Sequence, residues 1–378
     1  MAATTISLTG PDQWAGAQHA APKSVPAGYH DRVALYFVAS PLQYLAALEI
    51  AESFEVGARQ VLVWYQPGIQ SIVRDAHWDA SMYMPWPRHR PMPGPFGRLR
   101  RLRDNIRQVA ATVGAARELH IHSAVFDTEA INYFLNALPA LTGAEVTRGR
   151  ILPDGLINVM RYPLSPGKQA AMRMRSLRQL IAPELRYSRF SGDRIGSEAP
   201  FCDRIYVLPG LPHDYPAHKV VTLRPPPMAA GRSTLPCRPS ENRPKRALVV
   251  GQPLVGAGLL AASDLPKVSQ TLRQWLHASG IDEVIYKAHP KDQHRELSML
   301  GDQVVELDVP LESWLPGEHF DAVVGVRSTV LVLARQMYGA QTTVRSFGWN
   351  CVRFKSHEER VAMYRAFVAA GVEIDGEH

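Results

Sequence analysis

Apolar positions in this chain fall into short unbroken runs, each followed by a segment with helical spacing. Val33-Ala34-Leu35-Tyr36-Phe37-Val38 is such a run, the pattern of a strand buried on both faces of a parallel sheet. A helix is predicted directly after it. Ser40 can cap that helix, Pro41 suits its first position, and Gln43 completes a capping box. The alternation continues with a strand over Gln60 to Tyr65, an amphipathic helix over Leu99 to Ala115 and a strand over Glu118 to His122. A helix over Asp127 to Leu138 and a strand-like run over Val146 to Ile151 follow. The second series predicts strand Ala247 to Val250, helix Lys267 to Ser279, strands Glu283 to Ala288 and Ala322 to Val326, helix Thr329 to Tyr338 and strand Thr342 to Ser346. Ser356 and Glu359 form a capping box for a last helix through Ala370. Such alternation specifies an α/β fold of two doubly wound, Rossmann-like domains facing a cleft, with ligands beyond the carboxyl ends of the strands.

Breaks in composition divide the chain. Residues 1–30, rich in Ala, Gly, Pro and Thr without period, read as a flexible leader, and 31–200 as the N-terminal domain. Residues 201–246 read as an inter-domain strand and proline-rich linker, and 247–378 as the C-terminal domain. A basic loop with Arg88, His89 and Arg90 leads into Arg98, Arg100, Arg101 and Arg103. Another Arg-rich helix is predicted over Met172 to Arg186.

Charge narrows the partners. Lys and Arg number 42 against 35 Asp and Glu, which favours acidic ligands or an anionic membrane surface. Nucleic acid is not expected, because no aromatic platform or binding motif accompanies the basic helices. Cys202, Cys237 and Cys351 have neither disulfide nor zinc spacing and suit a reducing cytoplasm. Val33 to Ile50 is too short and too polar to span a bilayer, so the protein is expected to be cytoplasmic, with peripheral contact at an inner membrane.

Candidate chemistry stands at strand ends. Lys287-Ala288-His289-Pro290-Lys291 follows an apolar strand and is suited to hold a phosphate, with a bound dianion favouring protonated His289. Arg327-Ser328-Thr329 opens a helix, where free amides, hydroxyls and the helix dipole favour an anion; Ser328 is equally an ordinary cap. Asp154 stands on a Gly turn after a strand, where a carboxylate can act as a general base or simply make a turn. Gly251, Gly256 and Gly258 miss both the dinucleotide fingerprint and the P-loop, which removes the main support for oxidoreductase and kinase readings. No Asp-x-Asp pair is present to hold a metal between nucleotide phosphates.

Taken in order, Pro153-Asp154-Gly155, His289-Pro290 and Ser328-Thr329 resemble the motifs of the bacterial lipooligosaccharide sialyltransferase and capsular polysialyltransferase families. Ala39-Ser40-Pro41-Leu42-Gln43 resembles their opening strand-to-helix turn, and Gly251-Gln252-Pro253-Leu254 the strand opening their second domain. The resemblance implies the glycosyltransferase-B fold and transfer, with inversion and without a metal or other cofactor, of sialic acid or a related nonulosonic acid. The donor would be a CMP-sugar and the acceptor a glycan or glycolipid of a bacterial surface polysaccharide. It implies Asp154 as base, His289 as catalytic donor to the leaving phosphate, and Lys287, Pro290, Gln252, Arg327, Ser328 and Thr329 around the nucleotide. The family's first acidic position is Pro153 here, with Asp127 and Glu129 the nearest substitutes for a base. Alternatives are CMP-Kdo, a UDP or GDP sugar, or a non-catalytic glycan- or membrane-binding relative.

Overall fold

The computed structural model describes residues 30–155, 161–224, 243–289, 291–307 and 311–376. The expected leader through residue 29, Cys237, Pro290 and most of the proline-rich linker lie outside the described residues.

In the first domain the chain runs β1 (His30–Val38), α1 (Pro41–Ser53), β2 (Arg59–Trp64), β3 (Ala80–Tyr83), α2 (Gly97–Val113) and β4 (Ala116–Ser123). It continues through α3 (Glu129–Asn132), α4 (Phe134–Thr142), β5 (Val146–Ile151), α5 (Pro166–Ser176), β6 (Cys202–Val207) and β7 (Val220–Thr222). All strand pairs of this sheet are parallel. Their order is β3-β2-β1-β4-β5-β6-β7. The strand expected between the domains, β6, is therefore part of the first sheet.

The second domain contains β8 (Arg246–Val250), α6 (Leu265–Ala278), β9 (Glu283–Lys287), β10 (Gln303–Val304) and α7 (Leu311–Trp314). It closes with β11 (Ala322–Gly325), α8 (Thr329–Tyr338), β12 (Thr343–Ser346), α9 (His357–Ala370) and β13 (Glu373–Ile374). Its parallel order is β10-β9-β8-β11-β12-β13. Counted within each domain, both sheets contain the doubly wound order 3-2-1-4-5-6, which places a topological switch between β1 and β4 and another between β8 and β11. Cores lie on both faces of each sheet, as the unbroken apolar runs require.

Two helices differ from their sequence pattern. The helix expected over Asp127 to Leu138 is broken at Tyr133 and continues to Thr142, where Gly143 terminates it in the left-handed region. Asp127 does not open it, because its carboxylate is held by Lys168 and Arg194 instead of capping. The Arg-rich helix expected over Met172 to Arg186 begins earlier and ends sooner. Ser165 accepts from the Lys168 amide at 3.3 Å with Pro166 at the first position, and a 3-10 turn over Leu177–Leu180 finishes the segment before Pro183.

Candidate functional site

The carboxyl edge of the second sheet presents three loops side by side, from β9, β8 and β11. At the end of β9, the Asp292 amide donates to the His289 carbonyl at 2.8 Å, and the buried Tyr286 hydroxyl donates to the Asp292 carboxylate. The turn carrying His289 is thereby anchored to the strand. Gly251, ending β8, is required to be small: a Cβ there would meet the Tyr286 hydroxyl and stand 2.9 Å from Asp292. Glu296 accepts from the amides of Val255 and Gly256 at 2.7 and 3.1 Å, so the β9 loop also holds the β8 loop.

His289 Nδ1 accepts the Lys291 amide at 3.1 Å, which leaves the imidazole proton on Nε2 in the neutral ring. Loss of solvent, then Lys291 and Lys287, hold that imidazole below its ordinary pKa, with Asp292 opposing. The protein's own groups thus favour a neutral Nε2–H donor; the protonated form expected from the sequence requires an added anion. Lys287 is lowered by burial and supported by Glu306, and its ammonium donates to the Ala288 carbonyl at 3.1 Å.

A hydrogen bond from the Arg327 amide to Gln252 Oε1 at 2.9 Å bridges the switch between β8 and β11. Ser328 is buried and caps α8, accepting from the Val330 amide at 3.3 Å. Its cap role is therefore realised, and the remaining amides of the first turn keep their anion preference. The Arg327 guanidinium is differently engaged from its expected role at a phosphate. It donates to the Arg353 carbonyl at 2.8 Å, lies 3.5 Å from Glu359 and stacks over Phe354 at 4.8 Å.

The first domain meets this edge with the loop after β5. Leu152 and Pro153 are buried, and Gly155 turns with φ +55°, where a Cβ would lie 2.9 Å from Thr329 Cγ2. Asp154-Gly155 and Ser328-Thr329 are thus brought together across the cleft, beside a space of about 20 Å³ lined by Leu42, Gly155, Leu208 and Thr329. His289 stands on the far side of β8 from Ser328. Burial raises the Asp154 pKa above the usual carboxylate range, and a hydrogen bond from the Gln43 amide pulls it partly back. Gln43 is itself aimed, its Oε1 accepting the amide of Ala39, the residue before the cap, at 2.7 Å. The sequence marked Gln43 only as a cap, because its contact with a loop more than a hundred residues away leaves no local signal.

A second concavity lies at the carboxyl ends of β3 and β4. It encloses about 360 Å³, with Trp86 at one wall and Arg88, Arg98, Lys168, Arg175 and Arg194 around Asp127 and Glu129. Lys168 and Arg194 hold Asp127, while Arg98, Arg175 and Arg178 surround Glu129. Both substitute bases are thus saturated with cations, whereas Asp154 is held by an uncharged amide. Among the described residues no group of three His, Cys, Asp or Glu stands in position to hold a metal, and no helix is long and apolar enough to cross a membrane.

Residues 238–345 match the model of the alpha-2,8-polysialyltransferase family, so the resemblance read from the motifs extends through the second domain from before β8 to β12. No curated protein sequence matches the chain. Distant similarity links it to the solved glycotransferase of kitacinnamycin, at 12% identity over 91% of this chain and 86% of that one, with a TM-score of 0.49. The UDP-GlcNAc 2-epimerase from Neisseria meningitidis is similar at 9% identity, over 91% and 87%, with a TM-score of 0.47. MurG of Acinetobacter baumannii is similar at 9%, over 91% and 85%, with a TM-score of 0.43.

Proposed function

We propose that the protein is an inverting glycosyltransferase that moves sialic acid, or a related nonulosonic acid, from a CMP donor to a glycan acceptor. The observation that carries the reading is the meeting of Asp154-Gly155 with Ser328-Thr329, in a chain whose second domain matches a polysialyltransferase family. The nucleotide phosphate belongs over the carboxyl end of β8, between the α8 amides and Gln252 on one side and Lys287 and His289 on the other. There the neutral His289 Nε2–H, or its imidazolium once the dianion is bound, donates to the phosphate oxygen that departs.

As the bond from the anomeric carbon to that oxygen breaks, its electron pair leaves with CMP. The acceptor oxygen bonds to the opposite face and its proton passes to Asp154. A carboxylate raised by burial is a stronger base than an ordinary one and needs no second carboxyl group, because the phosphate leaves without protonation. The cation-lined cavity is offered to an acidic glycan acceptor, with Arg88 and Arg98 drawn from the basic loop and helix. In this reading Lys287, His289 and the helix amides neutralise the phosphate, so it includes no metal or other cofactor.

Release of CMP is measured from the CMP-sugar with an oligosaccharide acceptor, in buffer and in excess EDTA. Acceptor-dependent release unchanged by EDTA is expected. Loss of turnover restored by Mg or Mn contradicts the metal-free course, and release only from UDP or GDP sugars contradicts the donor.

A further inference from the structure

Large exposed apolar side chains on the described surface mostly stand apart, as Val56, Leu141 and Val368 do. The end of α5 and the 3-10 turn after it depart from that. Met174, Leu177, Leu180 and Ile181 are 67, 54, 78 and 88% exposed. Met174 stands near the end of α5 and Leu177, Leu180 and Ile181 follow through the 3-10 turn, while Met172 is buried and Lys168 and Arg175 line the cavity. A run of this kind on a monomer's surface marks an interaction site.

Its surroundings indicate the occupant. Arg173 lies in that segment and Arg186 and Arg189 follow it, all exposed and without an ion-pair partner among the described residues. Four arginines of α2, by contrast, are engaged by neighbouring groups, while Arg107 of that helix is exposed. Arg98 pairs with Glu129, Arg101 with Asp104 and Arg103 with Glu184, and Arg100 donates to the Pro93 carbonyl. Exposed apolar side chains with unpaired guanidinium groups in and after the same segment match a headgroup layer of negative charge over acyl chains. A protein partner would have to bury those unpaired charges.

We propose that the exposed apolar side chains of residues 174–181, with Arg173, Arg186 and Arg189, dock the protein on an anionic bilayer. Docking there, rather than through the arginines of α2, sets the cation-lined cavity beside the membrane, since Lys168 and Arg175 of the same helix line it.

The proposal does not depend on the transferase reading, because binding is measured without donor or acceptor. The full chain is sedimented with phosphatidylcholine vesicles, with and without phosphatidylglycerol, at low and high salt. The parent is expected to bind only the anionic vesicles and to be released by salt. Met174→Ser with Leu177→Ser, Leu180→Ser and Ile181→Ser is expected to weaken binding at least about tenfold. Arg100→Gln with Arg101→Gln is expected to bind like the parent. A parent that fails to bind, or a serine variant that binds equally well, overturns the proposal. So does a dimer in sedimentation equilibrium that the serine substitutions dissociate, which assigns the face to a second copy. Independently of the serine variant's folding, Ile181→Trp is expected to add a blue-shifted, brominated-lipid-quenched component over the parent spectrum; an unshifted, unquenched component also overturns it.

Discussion

Asp154 combines burial with an uncharged partner, and both are needed for its proposed work. Burial raises its pKa while the Gln43 amide holds the carboxylate in place and moderates the rise. Protonation removes the base, so transfer is expected to fail as pH falls through a value above the ordinary carboxylate range. Gln43→Met removes the moderating donor, and the acidic limb of the pH–rate profile is expected to move to still higher pH. An unmoved limb would show that Gln43 does not act on the base. At His289, Ala substitution removes the Nε2–H donor and is expected to weaken CMP affinity about tenfold or more and to reduce turnover further, as followed by calorimetry and initial rates. Equal affinity would place the phosphate elsewhere. The types and order of these residues were legible in the sequence because each sits directly after an apolar strand. The turning of Arg327 toward Phe354 and Glu359, and the saturation of Asp127 by Lys168 and Arg194, depend on contacts from distant segments that no local pattern records.

The two domains touch where the β5 loop reaches the start of α8. Gly155 combines φ +55° with a Thr329 methyl in the space its Cβ would take, so any side chain there is both strained and obstructed. Gly155→Ala is expected to cost about 1–3 kcal/mol of stability and to reduce transfer by separating the loop from the helix. Adding Thr329→Ser removes the obstructing methyl and is expected to restore part of the loss, leaving the backbone strain. The check is a double-mutant cycle in unfolding free energy and initial rate; strictly additive effects would contradict the contact. Long elements were legible from their periods, and the caps at Ser40 and Ser356 both form, with Gln43 and Glu359 reaching back to the amides of Ala39 and Lys355, one residue before each cap. The short outer strands β7, β10 and β13 were not, since two or three residues carry no period. The start of α5 carried its signal in Ser165-Pro166, which the stretch of arginines beyond it obscured.

Over the whole molecule, two doubly wound sheets place their carboxyl edges against one cleft and leave a buried polar network behind the first. Glu55, held by Arg150, also meets His120 Nδ1 at 2.9 Å and lies 3.3 Å from His122 Nε2. His122 stacks on Tyr36 at 4.4 Å. Burial, then the neighbouring His120, pushes the His122 pKa down to about 3; the Leu35 carbonyl and Asp203 oppose this in part. The unfolded chain therefore binds a proton near pH 6.5 that the folded one refuses. Its contribution is fully present above about pH 6.5 and is lost as pH falls toward 3, by about 1.4 kcal/mol per unit. His122→Asn is expected to flatten the fall of the unfolding midpoint between pH 7 and 4, and an unchanged slope would contradict the assignment.

The pairing of sheets was legible because each strand run was paired with its helix. The approach of Asp154-Gly155 to Ser328-Thr329 was legible only through the resemblance, since it joins residues on different domains. That approach gives the account its most direct measurement, which is sugar transfer from a CMP donor to an acceptor hydroxyl by the parent and by Asp154→Asn. The account predicts acceptor-dependent transfer by the parent, and about 10²–10⁴-fold slower transfer by the variant with CMP affinity retained. Transfer by Asp154→Asn at the parental rate, or no transfer from any CMP-sugar by the parent, would contradict it.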